Sequence, residues 1–188
     1  MSFKIAFIGS HGVGKTTLVY GLAARLKARD FSLEVVVEVA RRCPLPLNQE
    51  TSLAAQSWIL HTQIADELAA AARYPLVLCD RSVLDNYAYL LLASGPRREV
   101  ETLIECWLDT YDLLVHVPIV SDDVLPDGVR STDRGFRQAV ERRLQDELSR
   151  RRLEHLRLDS EGRDAWLDQV EAEVLQRLNP AQLRLLGE

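Results

Sequence analysis

Residues 4–17 read KIAFIGSHGVGKTT. The apolar run over residues 3–8 is typical of a parallel strand that is buried on both faces. Leu18, Leu22 and Leu26 follow at intervals of four residues, which predicts a helix with one face toward the core. The stretch therefore predicts a strand, a glycine-rich loop and a helix in immediate succession, and the rest of the chain can be arranged around this unit.

The loop of this unit matches the pattern Gly-x-x-x-x-Gly-Lys-Thr of a P-loop. Backbone N–H groups of such a loop point inward and form an anion nest, to which the following helix adds its positive N-terminal end. Lys15 can reach the outer phosphates of a nucleotide, and Thr16 can offer its hydroxyl to Mg²⁺. An ordinary glycine-rich turn is the alternative, but it does not need the Lys-Thr pair. The predicted nucleotide-binding residues are Gly9, Ser10, His11, Gly12, Val13, Gly14, Lys15, Thr16 and Thr17.

Composition favours one soluble domain over residues 1–188, since 47% of the residues are hydrophobic and 27% charged. The formal net charge of −5 argues against a nucleic-acid partner, because such partners need a basic surface. Cys43, Cys79 and Cys106 are widely spaced and odd in number, which argues against a disulfide framework and favours a cytoplasmic location. The first apolar run is too short for a signal peptide, and no stretch of about 18 apolar residues predicts a membrane span.

Strand and helix patterns alternate along the chain. Further strands are predicted over residues 33–37, 76–79, 113–117 and 153–158, and further helices over residues 49–73, 83–93, 98–110, 134–151 and from 160 onward. Such alternation is typical of an α/β fold with a mostly parallel sheet. We therefore predict a three-layer P-loop NTPase fold with five parallel strands, helices on both faces, and a helical lid at residues 121–152 between the fourth and fifth strands.

Asp80 ends the third predicted strand, and parallel sheets bind ligands at the C-terminal ends of their strands. A carboxylate there can hold Mg²⁺ opposite Thr16, directly or through water, so Thr16 and Asp80 are the predicted metal residues. A helix N-cap or a turn is the alternative role for Asp80. Arg81 comes next and is predicted to face the phosphates or their acceptor, with an exposed surface arginine as the alternative.

Glu38 follows the second strand and is predicted to reach the same edge of the sheet. Its carboxylate can accept a proton from an acceptor hydroxyl, or it can bind the hydroxyls of the acceptor. Alternatively, Glu38 begins a helical turn and pairs with Arg41 or Arg42. We predict that Glu38 acts on the acceptor hydroxyls, and we therefore name it among the catalytic and substrate-binding residues.

Three arginines, Arg130, Arg134 and Arg137, are spaced at i, i+4 and i+7 in the segment predicted as a lid. If the helix at residues 134–151 reaches back to Arg130, all three lie on one face. Such a segment can close over the phosphates and neutralise charge as it develops, so we predict catalytic roles for all three. An exposed, charged helix is the alternative.

Two glutamines, Gln56 and Gln63, lie on the otherwise apolar face of the long helix predicted after the second strand. Their amides can read the edge of a planar ring by paired hydrogen bonds, which makes them candidates for binding the acceptor. A helix-surface or water-satisfied glutamine is the alternative. Tyr87 and Tyr89, which follow the third strand, are expected to pack in the core.

Together these residues resemble the nucleoside and nucleotide kinase branch of P-loop proteins. Asp80-Arg81-Ser82 is similar to the Asp-Arg-Tyr motif of thymidylate kinases and to the Glu-Arg-Ser motif of deoxynucleoside kinases. Glu38-Val39-Ala40-Arg41 looks like the Glu-x-Ala-Arg stretch of small AAA-type ATP-binding kinases, a group that includes ribosylnicotinamide kinase domains. The resemblance implies ATP and Mg²⁺ as cofactors, an acceptor site that includes Arg41 and Gln56, and a phosphate lid.

We therefore expect a kinase that transfers a phosphoryl group from ATP to a small acceptor, a nucleoside or a nucleotide. The main alternative is a P-loop ATPase or GTPase that acts as a switch for a partner; no Asn-Lys-x-Asp guanine motif is present. A third reading, a nucleic-acid end kinase, is weakened by the negative charge. A homodimer through the helices on either side of Asp80 stays open.

Overall fold

The computed structural model describes residues 2–47, 51–120 and 134–178. The strands in these ranges are β1 Phe3–Ile8, β2 Leu33–Val36, β3 Leu76–Asp80, β4 Leu113–His116 and β5 Leu156–Arg157. They form one parallel sheet in the order β2-β3-β1-β4-β5. The strand that leads into the P-loop is therefore central, and the predicted five-stranded parallel sheet is confirmed.

The helices are α1 Lys15–Lys27, α2 Leu53–Ala71, α3 Val83–Ser94, α4 Arg98–Leu108, α5 Arg134–Arg151 and α6 Trp166–Leu178, with short 3-10 turns at Val39–Arg42 and Arg163–Ala165. Helices α1 and α6 cover one face of the sheet, and α2 to α5 cover the other. This arrangement confirms the predicted three-layer α/β fold. It also places α5 between β4 and β5, where the sequence predicts a helical lid.

The central strand supplies both halves of the hydrophobic core. Ile5 and Phe7 point into the cluster beneath α1 and α6, whereas Ala6 and Ile8 point into the cluster beneath α2 to α5. All four side chains are fully buried. Complete burial of a large apolar side chain contributes about 1.5–3 kcal/mol, so β1 is firmly fixed and presents the loop after Ile8 from a rigid base.

The last strand and the last helix are both shorter than the sequence predicts. Leu153 N–H donates to the carbonyl of Leu148 at 3.0 Å and so belongs to the end of α5, which leaves only Leu156–Arg157 as β5. Helix α6 begins at Trp166 and not at residue 160. The intervening residues form a turn in which Gly162 N–H donates to the carbonyl of Asp159 at 3.3 Å.

Helix α3 begins with a capping box directly after β3. The hydroxyl of Ser82 accepts N–H bonds from Leu84 and Asp85 at 3.0 and 3.4 Å, and the Asp85 carboxylate accepts from Ser82 N–H at 2.9 Å. Ser82 is therefore the N-cap of α3. The alternative N-cap role for Asp80 is excluded, and its carboxylate is available to other partners.

Some sequence predictions fall beyond the described residues. Residues 121–133, which include Arg130, are among these, so the lid over residues 121–152 stays a prediction. Within the described ranges, no helix has both the length and the apolar character needed to cross a bilayer. Cys43, Cys79 and Cys106 are free thiols.

Candidate functional site

The P-loop begins where β1 ends, and two of its glycines are required by geometry. Gly9 has φ +143°, and a Cβ atom there would lie 2.4 Å from the backbone carbonyl oxygen of Val117. Gly14, the N-cap of α1, has φ +100° in the left-handed region. Because glycine adopts such angles without steric cost, the loop can turn sharply from β1 into α1 and expose its N–H groups.

Two buried carboxylates hold the first residues of the loop. Gly9 N–H donates to Asp85 Oδ1 at 3.0 Å, and Ser10 N–H donates to Glu141 Oε2 at 3.2 Å. The Ser10 hydroxyl also donates to the carbonyl of Arg137 at 2.9 Å. Helices α3 and α5, which lie on the same face of the sheet, therefore both hold the loop. Asp85 and Glu141 were not singled out from the sequence, although the capping box Ser82-x-x-Asp85 is a visible signal for the first.

Lys15, the P-loop lysine, is buried against the loop that it follows. Its Nζ donates to the carbonyls of Gly9 and Ser10 at 2.8 and 2.6 Å. Burial, followed by the positive charge of Arg81, lowers the pKa of Lys15 to about 8, although neighbouring carboxylates oppose the shift. The ammonium group is thus poorly compensated, and a phosphate would stabilise its charged form.

Thr16 and Asp80 are brought together as predicted. The Thr16 hydroxyl donates to Asp80 Oδ2 at 2.5 Å, and Asp80 is almost fully buried at the end of β3. A hydroxyl and a carboxylate are hard oxygen ligands, and Mg²⁺ in such sites takes one or two protein ligands together with phosphate oxygens and water. The pair therefore fits Mg²⁺.

Glu38 is held between two arginines. Arg81 Nε donates to Glu38 Oε1 at 2.7 Å, and Arg41 Nε donates to Glu38 Oε2 at 3.0 Å. Glu38 and Arg81 are both buried, which excludes the exposed-arginine alternative for Arg81. The pairing of Glu38 with Arg41, the alternative considered from the sequence, is present, and it occurs together with the contact to Arg81.

Arg81 occupies a strained position at the turn from β3 into α3. Its φ of +94° lies in the left-handed region, which is uncommon for any residue but glycine and indicates a constraint imposed by the surroundings. Its guanidinium carbon lies 5.2 Å from the ring centre of Tyr89. Burial alone would lower the pKa of Arg81, but Glu38 and the other neighbours raise it well above its usual value, so the group stays charged.

An aromatic group lies beside Arg81. Tyr89 OH is 3.0 Å from His11 Nδ1, and the ring of Phe136 on α5 is 5.9 Å from that of Tyr89. Tyr87 packs in the core as expected, whereas Tyr89 is only partly buried and contacts the candidate site. His11, a variable position of the P-loop pattern, thus connects the loop to α3.

The lid arginines that the structure describes have different positions. Arg137 is buried, and its Nε donates to the carbonyl of His11 at 3.1 Å. Arg134 is exposed at the first residue of α5. Arg130 lies outside the described residues. Arg137 therefore contacts the backbone of the P-loop from α5.

The two glutamines on α2 are buried and have polar partners within the protein. Gln56 Nε2 donates to the hydroxyl of Thr51 at 2.7 Å. Gln63 Nε2 donates to Glu67 Oε1 at 2.9 Å and lies 3.4 Å from the carbonyl oxygen of Arg81. Gln63 thus contacts the backbone of the strained turn at Arg81.

Glu67 is fully buried and is the centre of a hydrogen-bonded network behind this turn. Its carboxylate accepts hydrogen bonds from Lys4 Nζ, Trp107 Nε1 and Tyr111 OH at 2.9, 2.8 and 2.7 Å. Tyr111 OH in turn accepts from the N–H of Val83, the first residue of α3, at 3.1 Å. Because a buried charge is stable only when it is paired and hydrogen-bonded, this network supports the segment that carries Arg81.

A cavity of about 200 Å³ joins the P-loop to the acidic residues of β2 and β3. It is lined by Gly12, Gly14, Lys15, Thr16, Thr17, Glu38, Arg41, Asp80 and Arg163. The convergence of the P-loop, Glu38 and Asp80 at one edge of the sheet was predicted, and the structure brings these residues together. Gln56 and Gln63 are not among the lining residues, and Arg163 was not anticipated from the sequence.

Comparisons with known proteins support the fold. No curated protein gives a significant match. Two solved structures have the same fold: "deoxyadenosine kinase from M.mycoides with bound dATP" has a TM-score of 0.64 at 15% identity, over 94% of this chain and 99% of its own. The same enzyme "with products dcmp and a flexible dcdp bound" has a TM-score of 0.63 at 16% identity, over 95% of this chain and 100% of its own.

A family model described as an AAA domain matches residues 4–164, which include every residue that lines the cavity and exclude only residues 1–3 and the end of the chain from residue 165 onward. The match begins within β1 and ends in the 3-10 turn that carries Arg163. It therefore covers the P-loop, the Thr16–Asp80 pair and the Glu38–Arg81 pair. This chain belongs to the AAA domain family of P-loop proteins and has the fold of the nucleoside and nucleotide kinases.

Proposed function

We propose that the protein transfers the γ-phosphoryl group of ATP to a small acceptor, a nucleoside or a nucleotide. The observation that carries this proposal is Glu38, whose carboxylate lines the P-loop cavity and is held between Arg41 and Arg81. A motor or switch ATPase would have a water-polarising glutamate directly after Asp80, where this chain has Arg81. Glu38, Arg41 and Arg81 instead offer an acidic and basic surface suited to a polar acceptor. The deoxyadenosine kinase fold of the two matched structures supports the same class of acceptor.

Each residue has a defined part in the proposed reaction. The P-loop N–H groups and Lys15 bind the phosphates of ATP, and Thr16 with Asp80 would hold Mg²⁺. When bound there, Mg²⁺ neutralises charge on the β- and γ-phosphates. Glu38 accepts the proton of an acceptor hydroxyl or binds the sugar of a nucleotide, and Arg81 keeps the reacting groups aligned. Arg130 and Arg134 are proposed to approach the phosphates from the lid.

The acceptor side is proposed in less detail. Gln56 is the proposed amide that reads the ring of the acceptor. The contacts of Gln63 to Glu67 and to the Arg81 carbonyl support a positioning role for Gln63, which acts through Arg81 and not directly on the acceptor. Arg137, through its bond to the His11 carbonyl, is proposed to fix the P-loop backbone.

The test is transfer of labelled phosphate from γ-labelled ATP to a panel of nucleosides, nucleotides and nicotinamide riboside. The wild-type protein is compared with Asp80→Asn, which removes the metal-side carboxylate and serves as the inactive control. We expect a labelled acceptor to form at a rate well above acceptor-free hydrolysis of ATP. The kinase proposal would be contradicted if ATP were hydrolysed and no acceptor became labelled. If Asp80→Asn also abolished this hydrolysis, the protein would be an ATPase.

A further inference from the structure

Arg163 lies over the P-loop from the side opposite to the acidic residues. It begins the 3-10 turn after β5, and its Nη2 is 3.5 Å from the position that a Cβ atom would take on Gly14. It lines the same cavity as Lys15 and Thr17. The guanidinium group therefore approaches the start of α1, where the P-loop ends.

The backbone that carries Arg163 is well anchored. Trp166, three residues on, is buried, and its Nε1 donates to the carbonyl of Asp159 at 2.7 Å. The guanidinium carbon of Arg163 lies 6.0 Å from the ring centre of Trp166, within range of a cation–π contact. The turn is thus fixed at both ends, whereas the arginine side chain projects into the cavity.

The N–H donors of Arg163 make no hydrogen bond in the part of the chain that the structure describes. No hydrogen bond or ion pair joins its guanidinium to residues 2–47, 51–120 or 134–178. The other arginine that lines the cavity, Arg41, is paired with Glu38. An arginine has five N–H donors in a planar fork that suits phosphate oxygens, so Arg163 is equipped to bind an anion held in the cavity.

The sheet order indicates which phosphates Arg163 can reach. Glu38 and Asp80 follow β2 and β3 on one side of the P-loop strand, whereas Arg163 follows β5 on the other side. In the proposed reaction the γ-phosphate faces Glu38, so the α- and β-phosphates lie nearer to Arg163. We propose that Arg163 is a donor-binding residue whose guanidinium contacts the α- or β-phosphate of the nucleotide.

This inference rests on the proposed function through nucleotide binding at the P-loop and through the placement of the γ-phosphate toward Glu38. It is therefore tested by binding without any acceptor. The proteins are the wild type, Arg163→Ala, Arg163→Lys and the control Arg157→Ala. Arg157 is an exposed arginine on β5 whose guanidinium also makes no hydrogen bond within the described residues, and it lines a different cavity. The probes, titrated calorimetrically with Mg²⁺ present, are ATP, ADP and inorganic pyrophosphate.

We expect Arg163→Ala to lower the affinities for ATP and ADP by the same factor, about tenfold or more, because a hydrogen bond to a charged group is lost. The affinity of Arg163→Ala for pyrophosphate should fall by a similar factor. Arg163→Lys should recover part of the lost affinity, and Arg157→Ala should bind all three probes as tightly as the wild type does. Thermal unfolding of all variants should coincide, since Arg163 is exposed.

Three results would overturn the inference. Unchanged affinities in Arg163→Ala would remove the contact altogether. If Arg163→Ala bound both nucleotides more weakly but bound pyrophosphate normally, Arg163 would be assigned to the base. If its affinity fell for ATP but not for ADP, Arg163 would be assigned to the γ-phosphate. If the protein binds ATP through Arg163 but labels no acceptor, only the proposed kinase function fails.

Discussion

Arg81 donates from Nε to Glu38 Oε1 at 2.7 Å, and the bond joins the ends of two adjacent strands, β2 and β3. Both side chains are buried, so the pair is shielded from water and from salt. Removing one partner of a buried pair leaves the other charge uncompensated, which is strongly destabilising. The pair therefore fixes the orientation of Glu38 toward the cavity as well as its charge.

Glu38→Gln should lower kcat by about 100-fold or more, because an amide cannot accept the acceptor's proton. The affinity for ATP should change by less than about threefold, since Glu38 is assigned to the acceptor and the amide oxygen can still accept from Arg81. Steady-state rates and calorimetric ATP binding provide the measurement. Glu34→Gln on β2, the strand that leads to Glu38, is the matched control and should behave like the wild type. Lost ATP binding with normal kcat would remove Glu38 from the acceptor role.

Lys15→Met should abolish most phosphoryl transfer, by about 100- to 1,000-fold, because one positively charged donor to the phosphates is lost. The free energy of unfolding should fall by no more than about 1 kcal/mol, since the lost bonds to the Gly9 and Ser10 carbonyls are offset by the relief of a buried charge. Urea unfolding and turnover are measured on the same preparation. A variant that transfers phosphate normally would refute the role of Lys15, and one that fails to fold would refute the predicted balance.

Nucleotide affinity should depend on pH through Lys15, whose pKa is lowered to about 8 by burial and by Arg81. Below that pH the ammonium group is present. Above that pH, Lys15 is deprotonated in the free protein and must take up a proton when the phosphates of ADP bind. The Kd for ADP should therefore rise by up to about tenfold per pH unit. The measurement is ADP titration between about pH 7 and 9.5, with proton uptake counted in buffers of different ionisation enthalpy. Lys15→Met should show no such slope; the same slope in both proteins would assign it to another group.

Gly9→Ala should be much more destabilising than Gly95→Ala, although both glycines have positive φ. A Cβ at Gly9 would meet the Val117 carbonyl oxygen at 2.4 Å, whereas nothing lies within 4 Å of a Cβ at Gly95. Gly95, with φ +72° and ψ −177°, lies in a region that is essentially restricted to glycine, so Gly95→Ala should cost about 1–3 kcal/mol for its backbone angles alone. Gly9→Ala, which adds the clash, should cost about 4 kcal/mol or more. Chemical denaturation of the two variants provides the comparison. Equal losses of stability in the two variants would mean that the backbone at Val117 shifts easily to accommodate the added methyl group.

Much of this fold can be predicted from local sequence patterns. The apolar run before Gly9 and the spacing of Leu18, Leu22 and Leu26 identify the first strand and helix, and the same signals recur along the chain. The limits of β5 and α6 could not be predicted so well. The Asp159–Gly162 turn uses hydrogen bonds that depend on the packing of Trp166, and the apolar pattern of residues 153–158 also fits the end of α5.

The candidate site shows the same division. Glu38 and Asp80 follow strands, so the rule for parallel sheets brings them to the P-loop. Asp85 can be recognised as the partner of Ser82 in a capping box, but its contact with the P-loop depends on tertiary packing. Glu141 and Arg163 come from a helix and a turn whose positions no local pattern reveals. The partners of Gln63 were equally hidden, because the buried carboxylate of Glu67 is set by contacts with Lys4, Trp107 and Tyr111.

The strand order β2-β3-β1-β4-β5 puts Glu38 and Asp80 on one side of the P-loop strand and Arg163 on the other. On the proposed assignment, the two substrates are therefore recognised by separate halves of the sheet, with the phosphate loop as the boundary. Substitutions after β2 or β3 could change the acceptor while the donor half stays intact, and substitutions after β5 could change the donor. A chain built in this way can acquire a new acceptor without giving up its source of phosphate.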